Sequence, residues 1–427
     1  MPIPILFYVL ENGPPQWLRD NAWLVAKTIA TVTILVLIKM YSSGAKCTAE
    51  RNFHGRVVMI TGGTSGIGAQ VTKELARRGA QIVLLTQVPP SDPFLAEFIE
   101  DVRDQANNDL VYAEQVDLSS LHSIRQFATK WVDNSPPRRL DMIILCAATL
   151  TPPGKKRVET REGVEETWMV NYLANFHLLG ILSPAIRAQP FDREVRIIFA
   201  TCSSYIGSPP LKDTLDKKSW TPGKAYARSK LALMVFGQAF QKHLDAYKRP
   251  DELPMNARVI FVDPGLSRTP GTRRWLTRGS LWGLALYLIG YLPVWFLLKS
   301  PRYGAQSILY AAMDLELGRG VGGKLIKECM EVDFARTDVK DEEVAKNLWE
   351  GTDKYIEKVE KEQAVKRTKE KKRQEELAKE AEEAKKAEEI EALVDAIKKG
   401  KQKEREKAKQ KEGGSGKGRK KTKKADS

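Results

Sequence analysis

Apolar positions along this chain fall into two alternating patterns. Short continuous apolar runs are followed by longer stretches in which apolar residues recur every three or four positions. Val57-Val58-Met59-Ile60, Gln81 to Leu85, Val111 to Val116, Asp141 to Ala148, Val195 to Ala200 and Ala257 to Val262 read as strands. Val321 to Ile326 reads as the last strand of the same sheet. The stretch leading to Gly79, Leu121 to Val132, Thr167 to Leu182 and Tyr226 to Leu244 read as helices. Strand–helix alternation sustained over about 270 residues predicts an α/β fold, a doubly wound parallel sheet spanning residues 54–335.

Two segments depart from that alternation. Residues 1–20 carry Pro2, Pro4, Pro14 and Pro15, which break any long helix. From Ala22 to Ile38 the chain is almost wholly apolar, which is about the length that crosses a bilayer. A cleaved leader has a shorter core and a small-residue cleavage site, so residues 21–41 read as an uncleaved anchor; a buried soluble helix is the competing reading. Lys39, Lys46, Arg51 and Arg56 follow the segment, which places the body on the cytosolic side of a membrane such as the endoplasmic reticulum or a lipid droplet. The second segment, Leu281 to Leu298, also has spanning length, yet a strand of the same sheet follows it, so both its flanks lie on one side. Gly290 and Pro293 interrupt it, and Trp282, Tyr287, Tyr291 and Trp295 suit an interface. It reads as a membrane-dipping lid over 281–298, with a core helix as the competing reading.

Charge adds a third region. The net charge is +15. Residues 398–427 carry fourteen Lys/Arg against four Asp/Glu, so the basicity is mostly a property of the C-terminal end. Residues 340–412 are rich in Glu, Lys and Ala, with only a thin Ala-rich stripe, which suits a solvated charged helix better than a coiled coil. Residues 413–427 form a basic, disordered tail suited to an anionic lipid surface. Aromatic residues are not interleaved with these charges, so nucleic acid is not an expected partner. The four cysteines and four histidines show no metal-ligand spacing.

The candidate chemistry starts at Tyr226-Ala-Arg-Ser-Lys230, which puts a phenol and an ammonium one helical turn apart. A phenol titrates near 10, and an adjacent positive charge is expected to pull it toward working pH. Between the first strand and first helix lies Thr61-Gly62-Gly63-Thr64-Ser65-Gly66-Ile67-Gly68. Glycines there let backbone N–H groups approach a pyrophosphate at a helix N-terminus. Strand, glycine turn, helix and strand is the context a dinucleotide loop requires. The second strand ends in Thr86-Gln87, without the acidic residue that reads both ribose hydroxyls of NAD; this points to NADP, with NAD still admitted.

The ordered set Thr61-Gly62-x-x-x-Gly66-x-Gly68, Asp117, Asn171, Ser204, Tyr226-x-x-x-Lys230, Pro264-Gly265 and Thr269 resembles the short-chain dehydrogenase/reductase superfamily, over roughly residues 54–335. The anchor and long loops are similar to its retinol-dehydrogenase-like and hydroxysteroid-dehydrogenase-like members. The resemblance implies a Rossmann fold and hydride transfer between NAD(P) and a carbonyl or secondary alcohol. It implies Tyr226 as general acid or base, Lys230 as its electrostatic partner and ribose ligand, Ser204 on the substrate oxygen, and Asn171 in a proton relay. It further implies Asp117 at the adenine, and Pro264, Gly265 and Thr269 at the nicotinamide carboxamide. An apolar lid resting in lipid implies a lipophilic substrate such as a sterol or retinoid taken from the membrane, and a second copy, as a homodimer, is a further expected partner. Where the family has Asn-Asn-Ala-Gly, this chain has Cys146-Ala147-Ala148-Thr149. That departure keeps open an alternative: a catalytically weakened, dehydrogenase-like scaffold.

Overall fold

The structure, a computed structural model, describes Gly13, residues 16–212 and residues 218–413, with side chains up to 407. The basic segment expected at 413–427 lies outside the described residues except for Gly413.

Eight strands form one sheet: β1 (Val57–Thr61), β2 (Gln81–Thr86), β3 (Val111–Gln115), β4 (Met142–Leu145), β5 (Val195–Ala200), β6 (Ala257–Asp263), β7 (Lys324–Lys327) and β8 (Met330–Val332). Their order is β3-β2-β1-β4-β5-β6-β7-β8. Strands β1 to β7 pair in parallel, and β8 returns antiparallel to β7. The central strands read as unbroken apolar runs because helices cover both faces. Val58, Ile60, Ile82 and Leu84 pack against Val71 and Leu75 of helix Gly66–Arg77 and Ile308 of helix Pro301–Met313. Across the sheet, helices Leu121–Val132, Ala174–Arg187 and Pro222–Asp245 pack side by side.

Several elements are absent from the sequence reading, among them helices Pro93–Ala106 and Pro301–Met313 and strand β8. Helix Pro93–Ala106 starts with an Asp92 cap, whose side chain accepts from Leu95 N at 3.1 Å, and with Pro93 in the first turn. Strand β8 follows a turn in which Glu328 and Cys329 both take positive φ, 51° and 56°, without the Asn-Gly that normally marks such a turn.

The helix Ala22–Ser43 has 22 residues and none is buried. It is long and apolar enough to cross a membrane, as is the segment Glu166–Arg187, which is instead 72% buried in the core. The apolar 281–298 stretch forms two short helices, Leu281–Ile289 and Tyr291–Leu297, broken at Gly290 and with no buried residue. Pro293 sits within the first turn of the second, where its missing N–H costs nothing. The helix Glu342–Gly413 is continuous. Its first turns belong to the compact unit that ends at Lys358, and there Trp349 packs edge-on against Phe176 and tilted against Phe236 and His243. From Val359 onward the chain is a second unit, with Leu377, Leu393 and Ile397 each more than half exposed, as a solvated helix requires.

One buried charge needs a partner. Arg196, in mid-β5, is fully buried; it donates to the Ala311 carbonyl at 2.7 Å and pairs with Glu194 at 2.9 Å. Arg51, from the linker after the apolar helix, pairs with the same carboxylate. Burial opposes ionisation of Glu194, but the two guanidiniums together outweigh it and hold the carboxyl below its ordinary 4.5. A depressed carboxyl favours the folded state above the unfolded value and loses that contribution as pH falls through the folded one. Glu194→Gln should therefore flatten the acid limb of thermal stability below about pH 4.5. At pH 7 it should cost roughly 3 kcal/mol, because Arg196 keeps a buried charge without its counterion. Calorimetry across pH 3 to 8 reads both effects.

Candidate active site

The strand order reverses between β1 and β4, so their C-terminal ends open a crevice. The chain leaves β1 at Gly62 and β4 at Cys146, side by side, because Thr61 pairs with Leu145. Gly62 has φ +67°, and a Cβ there would lie 2.8 Å from the Ala147 backbone. A Cβ on Gly68 would meet the Gly62 carbonyl at 2.2 Å, so helix Gly66–Arg77 starts directly against the turn. Ser65 sits at its N-cap without a side-chain cap bond, and no acidic residue occupies its first turn. Thr64 is half-buried beside it, and Ile67 packs toward Gly304. A glycine cradle at a helix N-terminus with free amide donors fits a dinucleotide pyrophosphate.

The other side of the crevice carries the polar groups. Lys230 is buried and donates to the Ala200 carbonyl at 2.9 Å, at the end of β5. Its ammonium lies 5.6 Å from the centre of the Tyr226 ring. The Cys202 thiol donates to the Tyr226 hydroxyl across 3.7 Å and bonds to Ser204 Oγ. Phenol, thiol, hydroxyl and ammonium thus converge at the end of β5. Ser203 turns the other way, donating to Asp263, while Lys327 donates to Ser203 at 3.3 Å. Ser204, not Ser203, therefore shares the side of Tyr226.

The expected lowering of the phenol does not occur in this structure. Burial pushes Tyr226 well above its ordinary 10, and the neighbouring Cys202 and Asp263 push the same way. Burial also lowers Lys230, since its charge is costly there. Burial is the largest cause of the Tyr226 shift, and the ammonium is committed to a backbone carbonyl. The Cys146 thiol is raised by burial to about 12, so it is a packing group and not a nucleophile.

The remaining candidates divide. Asn171 lies in a π-helical turn, Met169–Leu173, a feature common at functional sites. Its side chain accepts from Thr149 N at 2.8 Å and donates to Thr149 O at 3.0 Å and Ser229 Oγ at 3.1 Å. It clamps the segment that leaves β4, and Asn175 takes its backbone carbonyl. Asp117 accepts from Ser119 N at 2.8 Å and Ser119 Oγ at 2.7 Å, a turn preceding helix Leu121–Val132. Thr86 is buried and accepts from Val88 N at 3.2 Å, while Gln87 is exposed and accepts on its backbone carbonyl from Gln115. Past β6, Gly265 takes φ +70° and donates its N–H to Asp263 at 3.0 Å. Thr269 caps helix Pro270–Leu276 and reaches the glycine loop, since a Cβ on Gly66 would meet its methyl at 3.2 Å. Of the segment Pro264–Thr269, Thr269 is the residue seen to face the loop. Cys202 and Asp263 are site groups that the sequence reading lacks. Cys202 is the extended residue preceding the 3-10 turn Ser203–Gly207, and its contact with Ser204 Oγ, visible only in the fold, puts it on the same side.

Comparisons agree with this geometry. The short chain dehydrogenase family model matches residues 56–278. A Schizosaccharomyces pombe protein named uncharacterized oxidoreductase pbr1 is 43% identical, over 86% of this chain and 99% of its own. Mouse polyprenol dehydrogenase is 33% identical, over 69% of this chain and 82% of its own. Mouse retinol dehydrogenase 13 is 30% identical, over 74% of this chain and 87% of its own. The chain belongs to the short-chain dehydrogenase/reductase family and is an NAD(P)-dependent oxidoreductase.

Proposed function

We propose that the protein is a membrane-anchored oxidoreductase acting on the carbonyl or alcohol of a lipophilic molecule, a sterol, retinoid or other lipid, with NADP as the favoured cofactor. In this reading residues 21–41 anchor a catalytic domain, 54–335, at the cytosolic face of the endoplasmic reticulum or a lipid droplet. Residues 281–298 are its lid, and 340–412 a charged helix. The names of the mouse relatives, a polyprenol and a retinol dehydrogenase, support the substrate class. One observation carries it: the exposed apolar hairpin grows out of the segment that touches the glycine loop and returns beside it. Arg268 N donates to the Lys299 carbonyl at 2.8 Å, closing that segment. Lys39 donates to the Trp295 carbonyl at 2.8 Å and Ser42 to that of Phe296 at 3.0 Å, so the anchor's end meets the hairpin. A substrate leaving lipid at the hairpin then enters beside the nicotinamide side of the crevice.

The glycine cradle would hold the pyrophosphate through the first amides of helix Gly66–Arg77. Asp117 would take the adenine and Thr86-Gln87 its ribose. Lys230 would hold the nicotinamide ribose, and Pro264, Gly265 and Thr269 the carboxamide. When bound, the nicotinamide supplies or takes the hydride. Ser204 would orient the substrate oxygen. Tyr226, kept protonated by burial, would donate its proton as that oxygen gains negative charge, and would accept it in the reverse direction. The absence of a carboxylate at Thr86-Gln87 supports NADP, since nothing there repels a 2′-phosphate.

Three outcomes follow. Tyr226→Phe should bind NADPH as the wild type does in a fluorescence titration, yet lose at least about a hundredfold in turnover of a lipid ketone. Because the phenol is raised, wild-type carbonyl reduction should stay flat from pH 7 to 9 and fall only above about pH 10, as its proton is lost; a fall near neutrality contradicts this acid. Deleting residues 281–298 should weaken vesicle binding and reduce turnover of a membrane-dissolved carbonyl more than that of a water-soluble one. An unchanged ratio would rule out the lid.

A further inference from the structure

A second cavity, of about 580 Å³, lies away from the phenol. Its walls come from Val164 to Leu173, from Leu211 and Trp220, from Ala225 and Arg228, and from residues 344–355. On helix Pro222–Asp245, Ala225 and Arg228 project well to one side of Tyr226 and Lys230, given 100° per residue. The size suits a small molecule, and the lining is largely apolar and aromatic, with Trp168, Leu173, Leu348 and Tyr355.

Among the described residues, four buried polar atoms of this lining lack a hydrogen-bond partner: Glu165 Oε1, Trp220 Nε1, and the Nε atoms of Arg157 and Arg228, whose guanidiniums are otherwise engaged, Arg157 with Glu159 at 3.5 Å and Arg228 with the Leu211 carbonyl. Glu165 is 8% exposed; one of its oxygens caps Trp168 N at 2.7 Å, and the other, Oε1, is buried with no hydrogen-bond partner. The Trp220 indole N–H, in the same lining, is also buried without an acceptor. A buried carboxylate oxygen without a donor costs free energy, as does an unmet N–H. The Arg228 guanidinium stacks on Trp168 at 5.0 Å and donates to the Leu211 carbonyl at 3.2 Å, which fixes the wall between them. The occupant that meets these demands offers a donor to Glu165, an acceptor to Trp220 and apolar surface to the rest. A hydroxyl is both donor and acceptor and carries no charge for Glu165 to repel.

We propose that this cavity binds a lipophilic alcohol, hydroxyl toward Glu165 and Trp220, at a site distinct from the nicotinamide crevice. The proposal rests on the cavity alone and does not depend on the role given to Tyr226.

The test is equilibrium binding of tritiated farnesol to the full-length protein in lipid nanodiscs, corrected for uptake by empty nanodiscs. Saturable binding is expected to persist in Tyr226→Phe. It should weaken about tenfold in Trp220→Phe, which removes the donor, and in Leu348→Trp, which fills the space. Two variants are used because Glu165 also caps a helix and its replacement risks the fold. Unlabelled farnesol should displace the probe about tenfold better than its methyl ether, which has no donor for Glu165. Equal binding by both cavity variants, an equally effective ether, loss of all saturable binding in Tyr226→Phe, or none in the wild type would each overturn the proposal.

Discussion

The tightest packing in the crevice is backbone against backbone. Gly62 passes the Ala147 peptide with no room for a Cβ, and Gly68 meets the Gly62 carbonyl in the same way. These approaches seat the start of helix Gly66–Arg77 at the mouth of the sheet and aim its unbonded amides into the crevice. They also explain why Cys146-Ala147-Ala148-Thr149 is compatible with the site although the family pattern has Asn-Asn-Ala-Gly. The contact uses the nitrogen and Cα of Ala147, not its side chain. The strand exit is then held by four further bonds: Cys146 N to the Thr61 carbonyl and Ala147 N to Thr61 Oγ1, both at 3.2 Å, and two by which Asn171 clasps both backbone groups of Thr149. The backbone supplies the anchorage that the missing side chains would give, which weakens the case for a scaffold without chemistry.

Electrostatics in the crevice follow from burial more than from pairing. An ammonium near a phenol ought to favour the phenolate, but both groups are withdrawn from water, and each is driven toward its neutral form. The ammonium is satisfied by the Ala200 carbonyl, and the phenol faces a thiol. Such a phenol keeps its proton at working pH, so the hydroxyl carries a proton to transfer, although it is a weaker acid than a free phenol. Cys202 touches both hydroxyls of the proposed chemistry, a contact the sequence reading lacks.

The doubly wound sheet was legible because its strands are buried on both faces and carry an unbroken apolar signature. The glycine loop and Tyr226-x-x-x-Lys230 were legible because their spacing is itself the chemistry. The apolar hairpin could be inferred from topology: a strand of the same sheet follows it, so its ends had to meet. Other features live only in three dimensions. Strand β8 hangs on a turn made by Glu328 and Cys329, residues with no turn signature. Asn171 reads as an isolated polar residue until the fold brings Thr149 to it. The direction of the Tyr226 shift depends on how much of the phenol is covered, which spacing does not encode.

The junction beside Gly265 physically joins the two exposed apolar elements to the crevice. Lys299, where the hairpin re-enters the domain, is buried and ion-paired with Glu328. Glu328 also accepts from Ala45 N at 3.0 Å, just past the end of the apolar helix. The same lysine packs on Gly265, where a Cβ would lie 3.0 Å from its Nζ. Burial works against the Glu328 carboxylate, but the bonds from Lys299 and Ala45 hold it below its ordinary range. One ion pair thus links the end of the apolar helix, the hairpin's return and the glycine after β6. A displacement of either apolar element relative to the sheet has to break this pair or carry the Gly265 backbone with it, because a buried lysine cannot give up its counterion cheaply. Such rigidity keeps the hairpin's return and the crevice in register.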